Sequence, residues 1–131
     1  MRSLIWQKGA VHALLLNVTT DCRDAARVAA FWSGLIGWPA SFEDMPGNPY
    51  WVVGDPAGSL PRLVFVTAGE VTGEKNPVHL DLLPVDGAQE KLLDRALALG
   101  AKVIDDRREL EPGGWIVLAD PEGNEFCLEA G

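Results

Sequence analysis

The chain is short of basic side chains. Eleven Lys and Arg stand against nineteen Asp and Glu, which leaves a formal net charge of −8 and an isoelectric point near 4.6. Such a chain repels phosphate backbones and anionic membranes, so neither nucleic acid nor a membrane is expected as a partner, and cationic or neutral small molecules are favoured. Cysteine is scarce as well. Cys22 and Cys127 are too few and too far apart for a secreted disulfide framework, and they are expected as free thiols of a cytoplasmic protein. Only two histidines occur, His12 and His79. Long apolar runs are missing too: "AVHALLLNV", residues 10–18, is far shorter than the roughly 20 residues that cross a bilayer, and it reads as a strand.

What the chain has is repetition. "YWVVGDPAGSLPRLVFV" at 50–66 is echoed by "WIVLADPEGNEFCLEA" at 115–130, with Trp, branched apolar residues and Asp-Pro-x-Gly in the same order. Both Asp-Pro-x-Gly pieces fit a type I turn, with Asp accepting backbone N–H bonds. The segments ahead of them also correspond. In residues 24–39, Val28, Phe31, Trp32, Leu35 and Ile36 keep helical spacing, and Gly37 with Pro39 ends the helix. In residues 86–104, Asp86 is expected to cap together with Gln89, Leu92, Leu93, Ala96 and Leu97 to face inward, and Gly100 to stop the helix. The helix-ending glycines are 63 residues apart, Trp51 and Trp115 are 64 apart, and Asp55 and Asp120 are 65 apart.

Each unit opens on a β-rich run, "ALLLNVT" at 13–19 and "VHLDLL" at 78–83. Three further strands follow each helix, expected at about 38–43, 50–54 and 61–67, then at about 102–107, 114–119 and 124–129. The fold class is therefore α+β, built from two tandem βαβββ modules. Module one spans about 10–67 and module two about 77–131, with a linker at about 68–76, inside one domain of 1–131. A domain of this length can bury roughly two thirds of its unfolded surface without a disulfide or metal.

The paired modules, with "FWSGLIGW" at 31–38, "HLDL" at 79–82 and "DPEGNEFCLE" at 120–129, resemble the vicinal oxygen chelate superfamily of glyoxalases, bleomycin-resistance proteins and extradiol dioxygenases. Within it the pieces are most similar to the small glyoxalase-like domain proteins. The resemblance spans nearly the whole chain. It implies a glyoxalase-like fold, a curved mixed sheet around a ligand cleft, and a homodimer. It also implies that metal-dependent members hold their ion on strands one, four, five and eight, through two histidines and one or two carboxylates. Here Asn17, His79 and Cys127 stand at the first-, fifth- and eighth-strand positions, and the fourth strand, "RLVFV" at 62–66, offers no Asp, Glu or His. No metal or other cofactor is therefore expected, while a divalent metal at an atypical site around His79 stays open.

Strand alternation proposes the site. Side chains two apart share a face, which gathers Asn17, His79, Asp81, Glu125, Cys127 and Glu129 on one polar face, too polar for a plain core. Trp38 and Trp51 flank the polar loop at 43–50 and, with Phe42 and Tyr50, are placed to wall the cleft, while packing is the expected role of each one singly. Glu125 and Glu129 should hold the Cys127 thiol protonated, making it a lining residue more than a ligand or nucleophile. His79 beside Asp81 is either a general base, the one catalytic candidate, or a hydrogen-bonded wall residue. Trp32 and Trp115 are assigned to packing, His12 to a strand edge, and residues 105–110 to a solvated hairpin. Two function classes follow. One is a metal-free binder of a small organic molecule, cationic or aromatic; the other is a lyase- or dioxygenase-like enzyme working through an atypical metal or through acid/base chemistry at His79.

Overall fold

The computed structural model describes residues 14–45, 48–68, 78–85, 88–110 and 113–130. Two units of the same order follow one another. The first comprises β1 (Asn17–Cys22), α1 (Ala25–Ile36), β2 (Ala40–Met45), β3 (Asn48–Val53) and β4 (Arg62–Thr67). The second comprises β5 (Leu80–Leu82), α2 (Gln89–Ala98), β6 (Lys102–Asp106), β7 (Ile116–Ala119) and β8 (Glu125–Leu128). Each unit forms its own four-stranded mixed sheet, in the orders β1-β4-β3-β2 and β5-β8-β7-β6. The first and last strands of each unit pair in parallel, and the others pair antiparallel.

Helix α1 is where the sequence pattern is clearest. Val28, Phe31, Trp32 and Leu35 are all buried. Asp24 caps the helix by accepting from the Arg27 amide at 3.1 Å, and Gly37 closes it in the left-handed region at φ +91° while donating to the Ser33 carbonyl. The α1 stripe does not serve its own sheet alone. Its core contains Val53, Leu63 and Phe65 of the first sheet and Ile116, Leu118, Phe126 and Leu128 of the second. Phe31 and Trp32 meet Phe126 at ring separations of 5.9 and 4.9 Å. Both sheets thus turn their apolar faces to one shared core.

The turn at 120–123 ties the units further. Asp120 is buried, and its carboxylate accepts from Trp32 Nε1 at 3.1 Å and from Glu122 N, Asn124 N and Asn124 Nδ2. Glu122 reaches the start of α1, where its two oxygens accept from the Arg23 and Asp24 amides at 2.7 Å. That places a negative group at the positive end of the helix. Among the described residues the sister turn at Asp55 bonds locally, its carboxylate to the Ala57 amide at 2.8 Å and to Ser59, and its carbonyl to Gly58.

Several expectations need correction. The first strand starts at Asn17, and Leu14, Leu15 and Leu16 precede it as exposed residues. Its inward face is therefore Val18, Thr20 and Cys22, with Cys22 fully buried. Residues 43–50 are not a free polar loop, because most of them belong to the β2–β3 hairpin. In α2, Leu93 and Ala96 are buried while Leu97 is exposed. Gln89 ties α2 to the sheet by donating to the Gly114 and Leu128 carbonyls. Asp86, its expected capping partner, lies outside the described residues, as do His12 and most of the linker.

The tryptophan echo is also displaced by one residue. Trp51 stands opposite Phe65, and the residue opposite Leu128 is Ile116. The structural counterpart of Trp51 is thus Ile116, at the 65-residue spacing of the turn aspartates. Trp115 falls on the other face, half-buried and apart from the core.

Candidate functional site

Because Leu80, Leu82, Phe126 and Leu128 pack against the core, alternation turns His79, Asp81, Glu125, Cys127 and Glu129 to the opposite face of the second sheet. The register sets them in rows. Asp81 stands beside Cys127, which stands beside Val117, which stands beside Asp105. One step toward the start of β5, His79 is level with Glu125, which pairs with Ala119. One step the other way, Leu83 is level with Glu129, whose amide donates to the Leu82 carbonyl at 2.8 Å, and Glu129 in turn is level with Trp115. Trp115 is the site-facing residue that sequence reading missed. Its signal was present: it directly precedes Ile116, a buried residue, so it had to face the other way.

At the centre of this face, His79, Asp81 and Cys127 bring an imidazole nitrogen, a carboxylate oxygen and a sulfur within 4.8 Å of one another. His79 Nε2 lies 3.2 Å from the Asp81 carboxylate, with both side chains about half exposed. Burial, then the charges of Asp81 and Glu129, push the Cys127 thiol up to about 11. It is therefore a protonated thiol near neutral pH. Its acidic neighbours act on it as expected, although desolvation is the larger cause.

The remaining expected residues gather elsewhere. Asn17 belongs to the first sheet, where its side-chain oxygen accepts from Arg62 Nε at 3.0 Å. Phe42 and Trp51 form a cross-strand pair with ring centroids 5.5 Å apart, on the side where Trp51 packs against the core. Trp38 packs there too. Tyr50, the neighbour of Trp51 in β3, faces away from that side and pairs with Val66. The aromatic wall is thus split between two faces. The reason is that alternation separates neighbouring aromatics without saying which one the helix will cover.

As a metal centre, the cluster offers three donors of three kinds. One imidazole, one carboxylate and one thiolate satisfy zinc in number and type, whereas manganese or magnesium prefers an oxygen-rich set. Binding zinc would first require the Cys127 proton to leave.

A family profile for the glyoxalase-like domain matches residues 17–129. The chain belongs to the glyoxalase-like domain family. No curated protein sequence matches it closely enough to count as a relative. Among solved structures, this glyoxalase-like chain is similar to the fosfomycin resistance protein FosX of Listeria monocytogenes, solved with Mn(II) and 1S,2S-dihydroxypropylphosphonic acid. There the TM-score is 0.71 at 16% identity, over 92% of this chain and 94% of that one. It is similar also to a glyoxalase/bleomycin resistance protein/dioxygenase family enzyme of Burkholderia phytofirmans, with a TM-score of 0.64 at 23% identity over 89% and 98% of the two chains. The hypothetical protein SA1046 of S. aureus gives a TM-score of 0.70 at 13% identity over 94% and 96%. At such identities the likeness is one of fold. No helix among the described residues is long and apolar enough to cross a membrane.

Proposed function

We propose that this glyoxalase-like chain binds a small organic cation, amine-bearing or aromatic, on the outward face of its second sheet, without a metal. The observation that carries this reading is the register, which surrounds a protonated thiol with Asp81, Glu125 and Glu129 and sets Trp115 in the same row as Glu129. Grouped carboxylates attract a positive ligand, and the indole face adds a cation–π contact of about 0.5–2 kcal/mol depending on desolvation. The face has the wrong sign for a phosphonic acid such as the one in the Listeria structure. Calorimetry with a ligand panel of varied charge tests the reading, on the wild type and on Asp81→Asn and Glu125→Gln. Tighter binding of cations, weakened in both variants, is the expected result; a preference for anions sinks the proposal.

A second reading is favoured by the close approach of His79, Asp81 and Cys127. In it these three hold zinc, or His79, oriented by Asp81, works as a general base toward a bound substrate. Metal analysis of dialysed protein decides the first form: stoichiometric zinc lost in His79→Ala would establish it. Association as a homodimer belongs to the proposal as well. Its support is the run of exposed Leu14, Leu15 and Leu16 leading into β1, an edge strand. Sedimentation of the purified chain reads it directly.

A further inference from the structure

Next to the acidic face is a cavity of about 200 Å³. It lies between Leu35 and Ile36 in the last turn of α1, Leu92 of α2, and residues 82–85 where the chain leaves β5. The local sequence explains the opening. β5 is an edge strand of three residues, and Pro84, which lacks an amide hydrogen, prevents its ladder from continuing toward the helices. Leu83 and Val85 are left exposed at the rim, at 67% and 106%. The walls are otherwise aliphatic, and among the described residues Asp81 is the one ionisable lining residue. Since Asp81 also pairs with His79, the cavity and the acidic face share a residue.

Size limits what enters. Sites for whole drug-sized ligands run to roughly 300–1,000 Å³, so this cavity houses part of a ligand. We infer that it is a tail subsite, taking the short unbranched aliphatic chain of a ligand whose ammonium head is held at Asp81. This rests on the cation-binding reading and deepens it by naming the ligand class, an alkylammonium amphiphile. A fatty acid of the same length has the same tail but places its carboxylate against Asp81 and Glu129, so like-charge repulsion rejects it.

The test is titration calorimetry with n-propyl- through n-hexylammonium, the matching n-alkanols and the matching n-alkanoates. Wild-type protein should tighten about fourfold per added methylene until the cavity is full. Ammonium ions should bind better than alcohols, and alcohols better than carboxylates. Leu83→Gln removes an exposed apolar rim residue, so the fold is kept, and Leu92→Phe fills the space from the other side. Each should flatten the chain-length dependence, so that the ratio of hexylammonium to propylammonium affinity falls toward one. Asp81→Asn should narrow the ammonium–alcohol gap and keep the chain-length dependence. A flat series in the wild type, or an undiminished one in both cavity variants, overturns the inference. If aromatic ammonium ions bind while the alkyl series stays flat, the tail subsite alone fails. If no cation binds, both readings fail.

Discussion

Asp120 shows how one side chain takes on a role that its sequence twin lacks. Asp55 and Asp120 begin the same turn, yet only Asp120 receives an indole N–H from the other module, and only Asp120 is buried. Trp32→Phe keeps an aromatic ring beside Phe126 and deletes that donor. Losing a hydrogen bond to an ionised acceptor should lower stability by about 1.5–3 kcal/mol, read as a shifted urea midpoint with an unchanged slope. Cys22 supplies a pH prediction. Burial first, and then the charges of Glu122 and Asp120, push its thiol from the ordinary 9.0 up to about 12. Between those values the folded chain keeps a proton that the unfolded chain releases, so stability present below pH 9 is lost as pH rises toward 12. The slope from one such group is at most about 1.4 kcal/mol per pH unit. Comparing the alkaline limb of unfolding in wild type and Cys22→Ala isolates it, and the variant should be flatter. Cys127 should alkylate slowly at neutral pH and faster in Asp81→Asn, because Asp81 helps to hold its thiol up. Equal rates in the two proteins would remove Asp81 from that account.

Among elements, α1 and the two Asp-Pro-x-Gly turns were legible because their signals are local. A helical stripe and a terminating Gly lie together between Val28 and Gly37, whereas the cap at Asp24 emerged only with the structure. Gly37→Ala tests the terminating Gly. Nothing lies within 4 Å of the Cβ it would add, so the cost is backbone conformation alone, about 1–2 kcal/mol at φ +91°. Thermal or urea unfolding checks it. The strands were legible as pairs of faces, which sufficed to bring His79, Asp81 and Cys127 together. Two things were not legible. Where β1 begins depends on its partner: Leu14–Leu16 look like strand, but the parallel register with β4 starts at Asn17 opposite Arg62. Which face a tryptophan takes depends on a single residue of offset. A slip of one reverses every side chain in a strand, so the 64-residue spacing of the tryptophans misplaced Trp115 while the 65-residue spacing of the aspartates held.

At the scale of the whole molecule, the duplicated halves do not behave as two independent folding units. Helix α1 of the first module packs Phe31 and Trp32 on Phe126 of the second. Asp120, Glu122 and Arg95 add hydrogen bonds to α1 and its flanks, Arg95 Nε donating to the Gly34 carbonyl at 2.7 Å. Shared burial of this kind makes the modules lose their core together, since opening either one exposes the same aromatic cluster. Phe126→Ala therefore reports on the first module although the residue sits in the second. The truncation should cost about 3–5 kcal/mol, and the near-ultraviolet signal of Trp32 in the first module should melt in step with far-ultraviolet ellipticity from both. Coincident transitions at a lowered midpoint are expected in the variant as in the wild type. If ellipticity instead fell in two steps, with the tryptophan signal following only one of them, the modules would be separate cooperative units. The acidic face of the second sheet would then have to hold its register without support from α1.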